Sequence, residues 1–150
     1  MSYGNEYEVA LQIFDVGGMT EYIVLVTAAI VIEGDKVLLG RRGPNVPLNG
    51  CWEFPGGKIE YWETPQECLE RELFEELGVA SKAGAIIAES DYQYAEGAIK
   101  LLALLTVIAD HNFTLTVHDK IEWVPVTSLL KYKLAPADIA IAKKIMAMVC

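Results

Sequence analysis

Apolar and polar positions alternate between two kinds of pattern along this chain. From Tyr22 an apolar run, Ile23–Ile32, is broken only by Thr27 and is read as a strand. A turn at Glu33-Gly34-Asp35 leads to a second strand, Lys36–Arg42; Gly-Asp between apolar runs is hairpin chemistry. Gly43–Gly50, with two prolines and two asparagines, is a loop, and Trp52–Phe54 is a short extended piece. Later, Ala85–Tyr94 and Ile99–Ala109 are predicted strands around a turn at Ala95-Glu96-Gly97. Phe113–Val117 alternates as a short strand does, and Ile121–Val126 is another. Ser128–Leu130 is read as a single helical turn. Pro136 starts a final amphipathic helix to about Met148, with Ile141, Ile145 and Met148 on one face. Residues 1–20 carry little pattern and are read as an added strand or a loose arm.

The helical period is clearest between the two groups of strands. Thr64 is a natural N-cap, Pro65 takes the first helical position, Glu67 completes a capping box, and Gly78 supplies the stop. Leu69, Leu73, Phe74 and Leu77 share one arc and are expected to face a core. Glu72, Glu75 and Glu76 lie on the roughly opposite arc, with Glu63 just ahead of the helix. Strands around one early helix and ending on another give an α+β fold, a mixed sheet between helices.

Composition narrows this. A chain of 150 residues with 53% hydrophobic content is read as one globular domain, 1–150. A net charge of −9 argues against a nucleic-acid duplex or an anionic membrane as partner. No apolar run reaches the length of a membrane span, and no basic segment precedes an apolar core at the start. Cys51, Cys68 and Cys150 are odd in number and lack metal-type spacing, so reduced thiols and a cytoplasmic location are the expectation. The acidic arc stands out against this background. Glu75 and Glu76 occupy the last turn, where the helix dipole disfavours anions. Glu72 and Glu76 are like charges at i,i+4, and Arg71 is the one basic residue within the helix. A hard divalent cation, Mg²⁺ or Mn²⁺, would relieve both penalties; a solvated acidic face is the alternative.

The spacing is longer than a helix needs. Gly57 is followed by five residues and Glu63, then seven more and Arg71-Glu72, an aliphatic, any residue, Glu75-Glu76, any residue, Gly78 and an aliphatic. These nine specified positions over 23 residues resemble the Nudix box, each defined position filled. The resemblance implies an α/β/α sandwich whose box forms a loop–helix–loop, and Mg²⁺- or Mn²⁺-dependent hydrolysis of a nucleoside diphosphate linked to another group. It implies that Glu72, Glu75 and Glu76 ligate metal with the Gly56 carbonyl nearby. Arg71 would orient the carboxylates, and Glu63 and Gly57 would support them.

Outside the box, residues 22 to 148 are similar to the MutT-type branch. Trp52-Glu53-Phe54-Pro55-Gly56-Gly57-Lys58-Ile59-Glu60 matches its lead-in, and Arg41-Arg42 stands at the matching distance before it. Leu134-Ala135-Pro136-Ala137-Asp138-Ile139 looks like its base-recognition loop, particularly the version in bacterial CTP pyrophosphohydrolases. The resemblance implies that Arg42, Phe54 and Asp138 line a base pocket and that Lys58 lies near the phosphates. An ionised Asp138 accepts only, which suits a base offering an amino group, (d)CTP or (d)ATP before an oxidised guanine; the alternative is an N-cap of the last helix. An acid outside the box is expected too. Val117 occupies its place, and Asp119 is the substitute, with an ordinary turn residue as the equal alternative. His118 is read as a surface loop side chain, and Trp52 and Trp123 as core or pocket wall. The expected activity is hydrolysis of a nucleoside triphosphate to the monophosphate and pyrophosphate. Nucleotide-sugar or ADP-ribose hydrolysis is the second reading, and a non-catalytic sensor, which loses box carboxylates, the third. The resemblance also leaves room for a homodimer through residues 1–20.

Overall fold

The computed structural model describes residues 11–16 and 19–149, with side chains from Ile23 onward. The elements run β1 (Leu11–Val16), β2 (Met19–Ile30), β3 (Ile32–Glu33), β4 (Lys36–Arg42), β5 (Trp52–Glu53), α1 (Pro65–Leu77), β6 (Ser81–Tyr94), β7 (Gly97–Ile108) and β8 (His118–Pro125). A 3₁₀ turn (Val126–Lys131) and α2 (Pro136–Val149) follow. Of the segment read as strand or loose arm, 11–16 pairs antiparallel with β2, and the reading of 1–10 lies outside the described residues.

One sheet has the order β1-β2-β7-β6 and is mixed, because β2 and β7 run parallel while the other pairs are antiparallel. The expected mixed sheet is thus present. Beside it lies an antiparallel group the sequence reading did not separate, in which β4 pairs with β3, β5 and β8.

Strand parity divides the interior in two. Ala28, Ile30, Val37, Leu39, Leu101 and Ala103 turn to one side, where Ile141, Ala142 and Ile145 of α2 cover them. Their neighbours Ala29, Val31, Leu38, Leu102 and Leu104 turn to the other, against Cys68, Leu69, Leu73 and Leu77 of α1. Strands covered on both faces read as continuous apolar runs, which explains Ile23–Ile32.

Helix α1 has the expected ends. Thr64 Oγ1 accepts from the Glu67 amide at 3.1 Å, and Glu67 Oε1 accepts from the Thr64 amide at 2.9 Å. Gly78, at φ +69°, closes the helix with an N–H to the Phe74 carbonyl. The expected buried arc needs one correction: Leu69, Leu73 and Leu77 are fully buried, but Phe74 is 65% exposed. It lies 100° from Leu73, beyond the edge of the covered stripe, and Cys68 fills the stripe instead. Met148, on the expected face of α2, is likewise exposed.

Phe113–Val117 is a second correction, since it forms no strand. Its alternation is real: Phe113 and Leu115 pack on the α1-side core. Its backbone partner, however, is the end of a helix. The Thr114 amide bonds the Leu77 carbonyl at 2.8 Å, the Thr116 amide the Glu76 carbonyl at 3.2 Å, and Thr116 Oγ1 the Glu75 carbonyl at 2.9 Å. These are carbonyls that α1 itself leaves unpaired.

The loop that precedes α1 is stitched to β2. The Thr27 amide donates to the Gly57 carbonyl at 2.8 Å, the Ala29 amide to Pro55 at 2.7 Å, and the Ile59 amide to Leu25 at 3.1 Å. Gly56 makes this approach possible, because a Cβ there would stand 1.9 Å from the Thr27 carbonyl oxygen. Among the described residues no helix is long and apolar enough to cross a membrane. Urea denaturation should separate the two sides of α1: Leu73→Ala is expected to lower stability by about 3 kcal/mol, and Phe74→Ala by no more than about 0.5 kcal/mol.

Candidate active site

The buried stripe of α1 fixes where its acids point. Glu72 and Glu76 reach the wall of a cleft of about 540 Å³, whose lining also includes Gly56, Gly57 and Lys58 from the stitched loop. Arg42, Glu53, Phe54, Val117 and Asp138 line the same cleft. Glu75 stays on the outer side, its side chain 57% exposed.

Arg71 organises the box carboxylates. Its Nε and Nη2 grip Glu63 at 2.7 and 2.8 Å, and its Nη1 donates to Glu72 at 2.8 Å and Glu75 at 3.2 Å. Its Nη2 also meets the Lys58 carbonyl at 3.2 Å, which ties the helix to the loop. The hydrogen bonds Arg71 donates to Glu63 outweigh partial burial and raise the Arg71 pKa. Burial alone would raise the Glu63 carboxyl, but the Arg71 fork and the Glu60 amide hold it below the usual range. Gly57 must lack a side chain, since a Cβ there would stand 2.3 Å from the Glu72 carboxyl carbon. Arg71, Glu63, Glu72 and Gly57, named from the sequence, therefore sit together.

Glu76 differs from its neighbours. Burial first, then the hydrogen bond with Glu72 and the Glu53 charge, push its pKa up to about 9. Its Oε1 is buried with no hydrogen-bond partner. A carboxyl pressed against another carboxyl, with one oxygen unpaired, fits a divalent cation. Carboxyl groups crowd the cleft: Glu53, Glu60, Glu72, Glu76 and Asp138 line it, against Arg42 and Lys58. Glu72 and Glu76, with the Gly56 backbone beside them, are among the groups of this cleft that could hold a divalent cation.

At the other end of the cleft, Asp138 accepts the Phe54 amide at 2.9 Å through Oδ2. It does not cap its own helix: Phe54 is 84 residues away in the chain. Complete burial beside Glu53 raises its pKa well above the ordinary carboxylate range. Burial therefore disfavours the ionised, accept-only form expected of Asp138 and favours the protonated one, which can both donate and accept.

Two residues were missed. Glu53, on β5, accepts from Arg42 Nη1 at 3.0 and 3.2 Å and from His118 Nε2 at 2.9 Å. His118, read as a surface loop side chain, begins β8, and its side chain is 0% exposed. Its Nδ1 lies 4.0 Å from Glu76 Oε1. Gly40 carried the signal. A glycine inside the run Val37-Leu38-Leu39-Gly40 marks a close approach, and a Cβ there would stand 2.6 Å from the His118 ring. Asp119, the substitute for the extra acid, pairs instead with Arg41 at 2.8 Å, and both are partly exposed. Trp52 is buried in the α2-side core, edge-on to Tyr132. Cys68 lies under the loop, with Sγ 3.3 Å from the Lys58 carbonyl, and burial pushes its thiol up to about 12.

Comparison with known proteins agrees with this geometry. Residues 24–145 match the NUDIX domain family. The chain is 35% identical over 128 residues to the CTP pyrophosphohydrolase of Escherichia coli (strain K12), which covers 84% of this chain and 93% of that protein. It is 33% identical over 69 residues to the 8-oxo-dGTP diphosphatase of the same organism, covering 46% of this chain and 54% of that one. The solution structure of the E. coli ORF135 protein superposes with a TM-score of 0.73 at 34% identity, over 84% of this chain and 90% of that one. A filled box, a cleft lined by its carboxylates and a match across most of the chain lead to one conclusion: the chain belongs to the Nudix family of hydrolases.

Proposed function

We propose that this chain hydrolyses nucleoside triphosphates to the monophosphate and pyrophosphate, with (d)CTP-like nucleotides as its first substrates. The observation that carries this reading is Asp138: a buried carboxyl in the same cleft as the box glutamates, held by the Phe54 amide. A carboxyl that keeps its proton presents a donor beside an acceptor. That pair matches the N3 and N4 amino edge of cytosine, and also the N1 and N6 edge of adenine. It also accommodates an oxidised guanine, so the walls formed by Arg42 and Phe54 must complete the choice. Similarity to the CTP pyrophosphohydrolase of E. coli over most of both chains supports placing cytosine first.

Within this reading the residues divide the work. Phe54, Arg42 and Asp138 receive the base, and Lys58, exposed at the cleft, meets the phosphates. Glu72, Glu75 and Glu76 hold Mg²⁺ or Mn²⁺, which when bound neutralises pyrophosphate charge and activates water. Arg71 and Glu63 keep those carboxylates in place.

The deciding assay is pyrophosphate release with Mg²⁺ across (d)NTPs, oxidised (d)NTPs, nucleotide sugars and ADP-ribose. Release from (d)CTP above the others is expected. Cleavage confined to ADP-ribose or a nucleotide sugar would replace the reading, and no cleavage of any would end it. Glu75→Gln should lose more than about a hundredfold in kcat, because metal assistance is worth several kcal/mol, while its melting temperature stays near that of the native chain. Asp138→Asn should change the ranking of bases in kcat/KM; an unchanged ranking removes the specificity role.

The Glu76 pKa makes a stability prediction. A folded pKa of about 9, above the unfolded value near 4.5, means a contribution fully present below pH 4.5 that is lost as pH rises towards 9. In EDTA, Glu76→Gln should therefore melt above the native chain at pH 8, with the gap closing near pH 5. Added Mg²⁺ should raise the native melting temperature at pH 8 and leave the variant nearly unmoved.

A further inference from the structure

The two ring nitrogens of His118 face different partners. Nε2 donates to Glu53 at 2.9 Å, and Glu53 is fixed in turn by Arg42. In the neutral ring this bond selects the Nε2–H tautomer and leaves a lone pair on Nδ1. Nδ1 and Glu76 Oε1 are both buried, both without a hydrogen-bond partner, and 4.0 Å apart. That is too long for a hydrogen bond, which needs about 2.7–3.2 Å. Two bonds of about 2.1 Å to one metal ion hold their donors about 3.4 Å apart at a tetrahedral angle and about 4.2 Å apart when opposite. This pair therefore brackets an ion at a wide angle or after a shift of about 0.6 Å.

We propose that His118 Nδ1 and Glu76 Oε1 flank a position for a first-row divalent transition ion. The metal set of this chain is then a mixed nitrogen–oxygen one. Glu53 plays the part that a carboxylate plays behind a metal-bound imidazole, accepting the other N–H and fixing the direction of the lone pair. The ligand atoms of Glu53, Glu76 and His118 lie within 4.8 Å of one another. Gly40 keeps the imidazole in this orientation by leaving space against its Cδ2 edge. A nitrogen donor shifts preference away from Mg²⁺, which favours oxygen alone, towards ions that accept imidazole. The inference rests on the reading of Glu76 as a box metal ligand and adds a donor from outside the box.

Pulsed EPR of the full chain, titrated with Mn²⁺ up to about three equivalents, tests it through nitrogen coupling to the metal. The chain has two histidines, so the source of any coupling is decidable. The native chain should show imidazole nitrogen coupling, and His111→Ala should keep it. His118→Gln should lose it, with Mn²⁺ bound about tenfold more weakly and Mg²⁺ affinity changed by less than about twofold. Mn²⁺ bound without nitrogen coupling, or coupling that vanishes in His111→Ala, overturns the proposal while leaving the box reading intact. Failure of the native chain to bind Mn²⁺ or Mg²⁺ at all overturns both. The native and His111→Ala spectra decide the matter even if His118→Gln folds poorly.

Discussion

Arg71 holds Glu63, Glu72 and Glu75 around one guanidinium, and the cleft takes its shape from that arrangement. Two unit charges of like sign 4 Å apart repel by about 4 kcal/mol at an effective dielectric of 20. A helix turn carrying such a set would splay its side chains into water. The guanidinium has enough donors, in a planar fork, to serve all three and still reach the Lys58 carbonyl. A lysine at this position would supply the charge without the fork. Loop and helix are thereby registered against each other at the point where the loop carries Gly56 and Gly57.

The helix tolerates its acidic face because the opposite face is worth more. Leu69, Leu73 and Leu77 are fully buried, each contributing about 2 kcal/mol. An i,i+4 repulsion costs only a few tenths of that. Packing therefore wins over electrostatics by a wide margin, and the acids are carried to the cleft whether or not a cation is there. Glu76 is the exception to easy tolerance, since it is buried beside Glu72 and Glu53. A positive partner would relieve the cost of ionising it there.

Much of this could be read along the chain, for physical reasons that differ by element. The capping box and Gly78 are local, three- and four-residue chemistry, so α1 was legible to the residue. β4 was equally clear because a turn on one side and a loop on the other bound it. Phe113–Val117 misled because alternation reports which side chains are covered, while the hydrogen-bond partner of the backbone is a long-range matter. The same holds for the site. Box spacing placed Glu72, Glu76 and Arg71 together because one helix and its loop carry them. The Glu53–His118 contact joins residues 65 apart on strands that both approach β4, and no local period encodes it. The upward shift of the Asp138 carboxyl was equally hidden, since it depends on burial.

Cys68 has its sulfur beneath the Gly56-Gly57 loop, in contact with the carbonyls of Gly57 and Lys58. Nucleophilic attack by sulfur, whether on peroxide, an alkylating electrophile or another thiol, proceeds through the thiolate. A thiol titrating at about 12 offers almost none at neutral pH, and its burial denies reagents an approach. A residue that could have made the loop hostage to oxidants is therefore chemically silent. The loop above it is thereby shielded from reagents that act through a thiolate.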